Sequence, residues 1–260
     1  MKLTIFSSNQ PRHLSLVKKL STIAEEIFFI SEVNTIFPGQ VSDFFARSEI
    51  MQRYFQNVMD SESKIFGNVG FLPSNVKTLS IKLGDLNKLE RLQFNEALES
   101  DVYIVFGSSY IKGWLADFLC ERRAINIHMG LSPFYRGSSC NFWALYDNNP
   151  GFVGATIHLL SKGLDSGDML FHCLPKFRLE DSPFDFTMRS VLVAQQGLVS
   201  AIEEKSIFCT QPVKQCKTEQ IRYTKNQDFT DSIVTQFLDR NLQINPEELS
   251  YPNLLRPIFG

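Results

Sequence analysis

Leu3-Thr4-Ile5-Phe6 is a short run of buried-strand character, Ser7-Ser8-Asn9-Gln10-Pro11 reads as a loop, and Ile27-Phe28-Phe29-Ile30-Ser31-Glu32-Val33 is a second apolar run of strand length. Between them, Leu14, Leu16, Val17, Leu20 and Ile23 recur at helical spacing, predicting a helix over His13 to Ile23. Strand, helix, strand in that order is the unit of a parallel α/β sheet. Working outward, Val76 to Leu83 and Asp101 to Phe106 read as further strands, Trp114 to Cys120 as a short helix, and Ala124 to His128 as the next strand. Ser42 is expected to cap a helix running through Met59, and Leu86 to Leu98 to form another helix.

Past His128 the chain changes character. Met129 to Asn141 holds Gly130, Pro133, Gly137 and three serines, a loop composition. Phe142 to Tyr146 reads as a short helix, and Val153 to Leu160 with Met169 to Phe177 as a strand pair around a turn. Ser182-Pro183-Phe184-Asp185 has a cap, a proline at the first helical position and an acid three residues after the cap, so a helix is expected from there to about Glu204. Beyond it, a strand near Arg222-Tyr223 and a helix from Asp231 to Leu238 form a small appendage. The expected organisation is one unit over 1–205 with an extension over 206–260.

Composition removes several function classes. Of 260 residues, 43% are apolar and 21% charged, which excludes a mainly disordered chain. The net charge of -2 supplies no global field for a nucleic acid backbone. No window approaches a membrane span, and Met1 to Gln10 lacks the features of a secretory leader, so neither membrane nor export is expected. Five widely spaced cysteines with no C-x-x-C pair fit free thiols in a reducing cytoplasm. The 23 phenylalanines point to an aromatic core, and together with the apolar C-terminal strands they would allow a homodimer.

Two segments carry chemistry. In Asn126-Ile127-His128, strand alternation puts the amide and the imidazole on one face and Ile127 on the other, at a carboxyl end where open α/β sheets place their sites. Gly163-Leu164-Asp165-Ser166-Gly167-Asp168 is a turn with two carboxylates. Acyl transfer needs a proton acceptor, an oxyanion donor and a group that fixes the imidazole, roles suited to His128, Asn126 and Asp165. No Gly-x-Ser-x-Gly is present and no nucleophilic Ser or Cys is evident beside a base, so the substrate is expected to bring the nucleophile. His158, His172, Cys173, Asp168 and Trp143 are read as packing, capping or hydrogen-bonding residues.

The run Asn126-Ile127-His128-Met129-Gly130-Leu131-Ser132-Pro133-Phe134-Tyr135-Arg136-Gly137, with Gly154-Ala155-Thr156-Ile157-His158 and Gly163 to Asp168, resembles the 10-formyltetrahydrofolate-dependent formyltransferase family. The resemblance covers 101–178, with a Rossmann-like match upstream. It implies a Rossmann-like formyltransferase fold with a twisted, mostly parallel sheet and a small C-terminal extension. It also implies Asn126, His128 and Asp165 as the catalytic triad and 10-formyltetrahydrofolate as co-substrate, with no metal. Phe106, Gly107, Ser108, Ile111, Gly163 and Leu164 would contact the folate, and Asn9, Arg12, Tyr135 and Arg136 the substrate.

The departures from the family narrow the partner. Ser7 to His13 lacks the glycine-rich phosphate loop of purine-pathway members, although Arg12 at a helix start could still hold a phosphate. The chain is short for the basic C-terminal barrel of members that act on initiator tRNA. The Gly130-Leu131-Ser132-Pro133 style and Asn141-Phe142-Trp143 resemble members that formylate nucleotide-linked amino sugars for surface polysaccharide. A small-molecule amine, a nucleotide sugar by this resemblance, is therefore the expected acceptor. Glycinamide ribonucleotide transfer, 10-formyltetrahydrofolate hydrolysis and a binding-only scaffold stand as alternatives.

Overall fold

The computed structural model describes residues 1–38, 40, 48–245 and 249–260. The chain opens with β1 (Lys2–Ser8), α1 (Pro11–Ser21) and β2 (Glu26–Val33), the strand–helix–strand unit expected from the sequence. Next come α2 (Glu49–Phe66), β3 (Val76–Lys82), α3 (Arg91–Phe94), β4 (Val102–Phe106), α4 (Gly113–Glu121) and β5 (Ile125–His128). The strands β1 to β5 pair in parallel, and β1 lies between β2 and β4. The sheet therefore grows in opposite directions from β1, which makes the crevice at the carboxyl ends of β1 and β4 its switch point.

Alternation along these strands sorts their side chains into two layers. Leu3, Ile5, Ile27, Phe29, Ile104, Ile125 and Ile127 join one buried cluster with Leu16, Val17 and Leu20 of α1. Phe6, Phe28, Ile30, Tyr103 and Val105 join the other with Leu115, Phe118 and Leu119 of α4. Burial on both faces is what makes the runs almost continuously apolar.

The second half adds β6 (Tyr135–Gly137), α5 (Cys140–Tyr146), β7 (Ala155–Leu159), β8 (Met169–Leu174), α6 (Pro183–Glu203), α7 (Ser206–Cys209), β9 (Arg222–Thr224), α8 (Asp231–Asp239) and β10 (Ile258–Phe259). The main sheet has the order β10-β8-β7-β5-β4-β1-β2-β3, with β7 antiparallel to both its neighbours and the remaining pairs parallel. The last residues thus add an edge strand to the main sheet. α8 lies against α2, and β9 pairs with β6 inside the segment expected to be a plain loop. Gly137 is required there: its φ is +92°, and a Cβ would fall 2.0 Å from the Thr224 carbonyl oxygen.

Two helix expectations change. Over 86–98 the chain forms a 3₁₀ turn, the short α3 and a second 3₁₀ turn instead of one helix. The Leu89 carbonyl accepts from the Trp114 indole at 3.0 Å, the Gln93 side chain takes the Glu90 N–H at 2.6 Å, and Asn95 turns to φ +42°. Side-chain partners and a left-handed residue thus replace helical bonds. The described part of α2 starts at Glu49, capped by the Ser48 hydroxyl, and continues past Met59 to Phe66. The expected cap at Ser42 lies outside the described residues. Among those residues no helix is long and apolar enough to cross a membrane.

α6 begins as the sequence indicates. The Ser182 hydroxyl accepts the Asp185 N–H at 3.1 Å, and the Asp185 carboxylate accepts the Ser182 N–H at 3.1 Å. Ser182→Ala should cost about 1 kcal/mol of unfolding free energy, read as a lower denaturation midpoint at unchanged slope.

Candidate active site

β5 ends in the crevice, with Ile127 in the core and Asn126 and His128 on the opposite face. The antiparallel β7 then sets Asn126 opposite His158 and His128 opposite Thr156. The turn after β7 returns Asp165 to the same place, so the His128 Nδ1 lies 3.3 Å from Asp165 Oδ1. Asp165 sits at φ +46°, a left-handed conformation that aspartate tolerates better than most residues. Its turn is held from outside by Gln215, whose amide donates to the Asp165 and Gly167 carbonyls at 2.8 and 2.9 Å, and by Arg136, whose guanidinium donates to the Leu164 carbonyl at 3.1 Å.

The electrostatics of this pair are strongly perturbed. Burial works against charge on His128, which is 6% exposed, but Asp165 and the Cys140 sulfur outweigh it and hold the imidazole pKa well above 6.5. Burial likewise raises Asp165, yet the His128 charge prevails and keeps the carboxyl below 3.8. Both shifts favour the imidazolium–carboxylate form of the pair.

Asn126 is oriented by a second histidine. The His158 Nδ1 faces the Leu159 carbonyl at 2.7 Å, which fixes the proton on Nδ1. Burial lowers this imidazole to about 4, so the neutral ring offers Nε2 as acceptor for the Asn126 amide at 2.9 Å. That leaves the second Asn126 N–H for a ligand. The hydrogen-bonding role read for His158 therefore takes a definite form, and its partner is the candidate oxyanion donor.

These residues line a cavity of about 730 Å³. On one side lies a slot between the loop after β4 and the turn after β7. Phe106, Gly107, Ser108, Ile111, Gly163 and Leu164 all face it. The slot is braced by Tyr110, whose hydroxyl donates to the Lys162 carbonyl, and by the fully buried Glu32. The Glu32 carboxylate accepts the Ser109 N–H at 2.5 Å, the Ser109 hydroxyl at 2.7 Å and the Gly84 N–H at 2.9 Å. His13 forms the floor beneath Gly107: a Cβ at 107 would come 2.5 Å from its Nε2, and its buried Nδ1 has no protein partner. On the other side Tyr54, Phe142, Phe184, Phe229 and Phe237 make an aromatic wall, drawing on α2, α5, α6 and the C-terminal extension.

The expected substrate residues fare unevenly. Arg12 lines the cavity, but Glu62 occupies it: Oε1 of this buried carboxylate accepts the Arg12 backbone N–H at 3.0 Å and its Nη1 at 2.8 Å. The start of α1 thus already holds an internal anion where a phosphate was expected. Asn9 and Asn34 bond reciprocally at 2.9 Å, tying the ends of β1 and β2, and Asn9 is not in the cavity wall. Tyr135 is 1% exposed and turned away, its hydroxyl bonded to Asp147 at 3.2 Å and Asn149 at 2.8 Å; Arg136 serves the Asp165 turn. Neither Tyr135 nor Arg136 lines the cavity among the described residues.

One residue was missed. Cys140, the first residue of α5, puts its Sγ 3.6 Å from the His128 Nε2 and lines the cavity, so a cysteine does stand beside the imidazole. Asp165, His128 and Cys140 are strung in a line, and among the described residues no group of three or more His, Cys, Asp or Glu side chains is arranged to hold a metal ion. If His158 positions the Asn126 amide, His158→Leu should lower kcat roughly 10-fold or more with little change in folate affinity; steady-state kinetics beside a folate-binding titration checks this.

Residues 92–202 match the formyl transferase family model. A methionyl-tRNA formyltransferase from Clostridium tetani is 31% identical over 189 residues, which is 69% of this chain and 59% of that protein. The chain thus spans about three fifths of the length of that relative. Two solved structures share the fold. An N-formyltransferase from Helicobacter canadensis, in complex with folinic acid and dTDP-3-aminofucose, superposes with TM-score 0.52 at 13% identity, covering 91% of this chain and 79% of that one. A phosphoribosylglycinamide formyltransferase from Anaplasma phagocytophilum gives 0.51 at 17% identity, covering 86% and 98%.

Proposed function

We propose, from the match of residues 92–202 to the formyl transferase family model, that the chain moves the formyl group of 10-formyltetrahydrofolate to a primary amine. The observation that carries this reading is the contact of His128 with Asp165 beside the oriented Asn126 amide, at the floor of a cavity large enough for two substrates. A flat heteroaromatic ring suits the slot: Phe106, Ile111 and Leu164 supply apolar faces, while Gly107 and Gly163 allow close backbone approach.

Attack by a neutral amine on the formyl carbon builds negative charge on the formyl oxygen. The free Asn126 N–H and the His128 imidazolium stabilise that charge. His128 then yields its proton to the departing folate nitrogen and recovers one from the attacking amine. Asp165 favours the charged imidazole and keeps the ring aimed through both proton transfers.

For the acceptor we favour a nucleotide-linked amino sugar. The aromatic wall gives a nucleobase rings to lie against, and the Helicobacter canadensis neighbour was crystallised with such a molecule. Glu62 on Arg12 speaks against a phosphate bound at the start of α1, the position expected from purine-pathway members. On this reading the molecule acts in the cytoplasm, where both substrates are made.

The test mixes purified protein with 10-formyltetrahydrofolate and a panel of nucleotide-linked amino sugars, glycinamide ribonucleotide, and a blank without amine. Tetrahydrofolate release should depend on one sugar amine, and that amine should gain one formyl mass. His128→Ala and Asp165→Asn should each lose on the order of 10²- to 10⁴-fold in kcat while remaining folded. Release in the blank would instead mark a hydrolase, and near-normal rates in the folded variants would sink the assignment of these residues.

A further inference from the structure

The cavity is poor in positive charge. Among the described residues that line it, Arg12 is the one lysine or arginine, and Glu62 and Asp165 are the two carboxylates. Asp165 is matched to His128. Glu62 is matched to Arg12: its Oε1 accepts the Arg12 backbone N–H at 3.0 Å and the Nη1 at 2.8 Å. A helix start with a guanidinium beside it attracts a phosphate, because unpaired N–H groups, the helix dipole and a fork of donors converge there. Here a carboxylate of the protein itself fills that role. We propose that Glu62 selects the acceptor: it bars a phosphate from the start of α1 and binds there an uncharged hydrogen-bond donor, a hydroxyl of the acceptor sugar. This rests on the formyl-transfer reading above and deepens it.

The carboxylate is built into the wall. Glu62 is 4% exposed, and the surface it keeps opens on the cavity. Gln195, reaching from α6, donates to the Arg12 carbonyl at 2.6 Å and accepts from the Ser15 hydroxyl at 3.1 Å and the Lys19 ammonium at 3.2 Å. The first turn of α1 is thereby fixed where Glu62 meets it. Lys64, two residues further along α2, is held by Asp185 at 2.9 Å and does not line the cavity. An entering phosphate would meet a buried carboxylate, with no second lysine or arginine among the described lining residues to balance it. Displacing Glu62 would leave a buried charge without its partner, a cost the ligand would have to offset.

One carboxylate oxygen remains for a ligand. Both contacts with Arg12 end on Oε1, and among the described residues no donor reaches Oε2. A hydroxyl can donate to that oxygen without adding charge to the site. The same helix carries the rest of the wall: Tyr54, Phe55, Val58, Met59 and Glu62 recur on one face of α2 and all line the cavity. The eight-residue step from Tyr54 to Glu62 spans about 12 Å of helix. A nucleobase against the aromatic end and a sugar hydroxyl at the carboxylate end are therefore within reach of one molecule. Its phosphates stay clear of the start of α1.

The experiment is calorimetric titration of inorganic phosphate into wild-type protein, Glu62→Gln, and Glu62→Gln combined with Arg12→Gln. Glu62→Gln keeps the shape and removes the charge, so it should bind phosphate at least about 10-fold more tightly than wild type. The double variant should lose that gain. Equal affinity in wild type and Glu62→Gln overturns the proposal, and so does a gain that survives in the double variant. Should Glu62→Gln fail to fold, the wild type decides: phosphate that competes with the acceptor amine overturns the proposal, and phosphate without effect on turnover supports it. In steady-state kinetics Glu62→Gln should raise KM for the accepted amine about 5-fold or more with kcat little changed, the difference between a charged and a neutral acceptor of the hydroxyl. A loss confined to kcat overturns the proposal. Turnover with no amine removes the formyl-transfer reading, whereas the phosphate titration reads Glu62 without any turnover.

Discussion

The buried contact between His128 and Asp165 is the constraint around which the carboxyl end of the sheet is organised. Neither group would hold a charge at that depth alone; each is charged because the other is. The pair is bought by long-range structure: β5 supplies the imidazole, the turn after β7 supplies the carboxylate, and only their antiparallel pairing brings the two within 3.3 Å. The raised His128 contributes stability that is complete below 6.5 and is lost as pH rises through its folded value. The depressed Asp165 contributes stability that is present above 3.8 and is lost as pH falls through its folded value. Between these limits the fold and the charged site favour each other.

Support for the pair comes from polar groups scattered through the chain. Thr156 accepts the Ser132 N–H at 2.8 Å and donates to the Gly130 carbonyl at 2.7 Å, pinning the segment that follows His128. His172 binds the Ser132 carbonyl at 2.9 Å through Nε2 and the Leu255 N–H at 3.0 Å through Nδ1, so the C-terminal segment steadies the same loop. Gln215 does so for the Asp165 turn. Residues beyond 205 therefore add a strand to the sheet, a clamp on the acidic turn and part of the aromatic wall.

Much of this was legible in the sequence because it depends on short periodicities. Alternation placed Asn126 and His128 together, and the Ser182–Asp185 spacing marked the start of α6. What stayed hidden depends on turns and distant partners. Cys140 meets His128 only because Gly137 and Ser139 adopt left-handed angles that no apolar pattern encodes. Arg12 looked free for an anion because its partner, Glu62, comes from another helix fifty residues on. Tyr135 reads as a substrate contact by the resemblance, yet its side chain turns inward because Asp147 and Asn149 take its hydroxyl.

The central claim is that Asp165 keeps His128 charged at the pH where the site works. The most direct measurement is an NMR titration of ring-labelled histidine, with His128 assigned through its loss in His128→Ala, in wild-type protein and in Asp165→Asn. The account predicts that His128 titrates well above 6.5 in the wild type and drops markedly in the variant. A wild-type His128 that titrates at or below 6.5, or one that ignores the loss of the carboxylate, would contradict it.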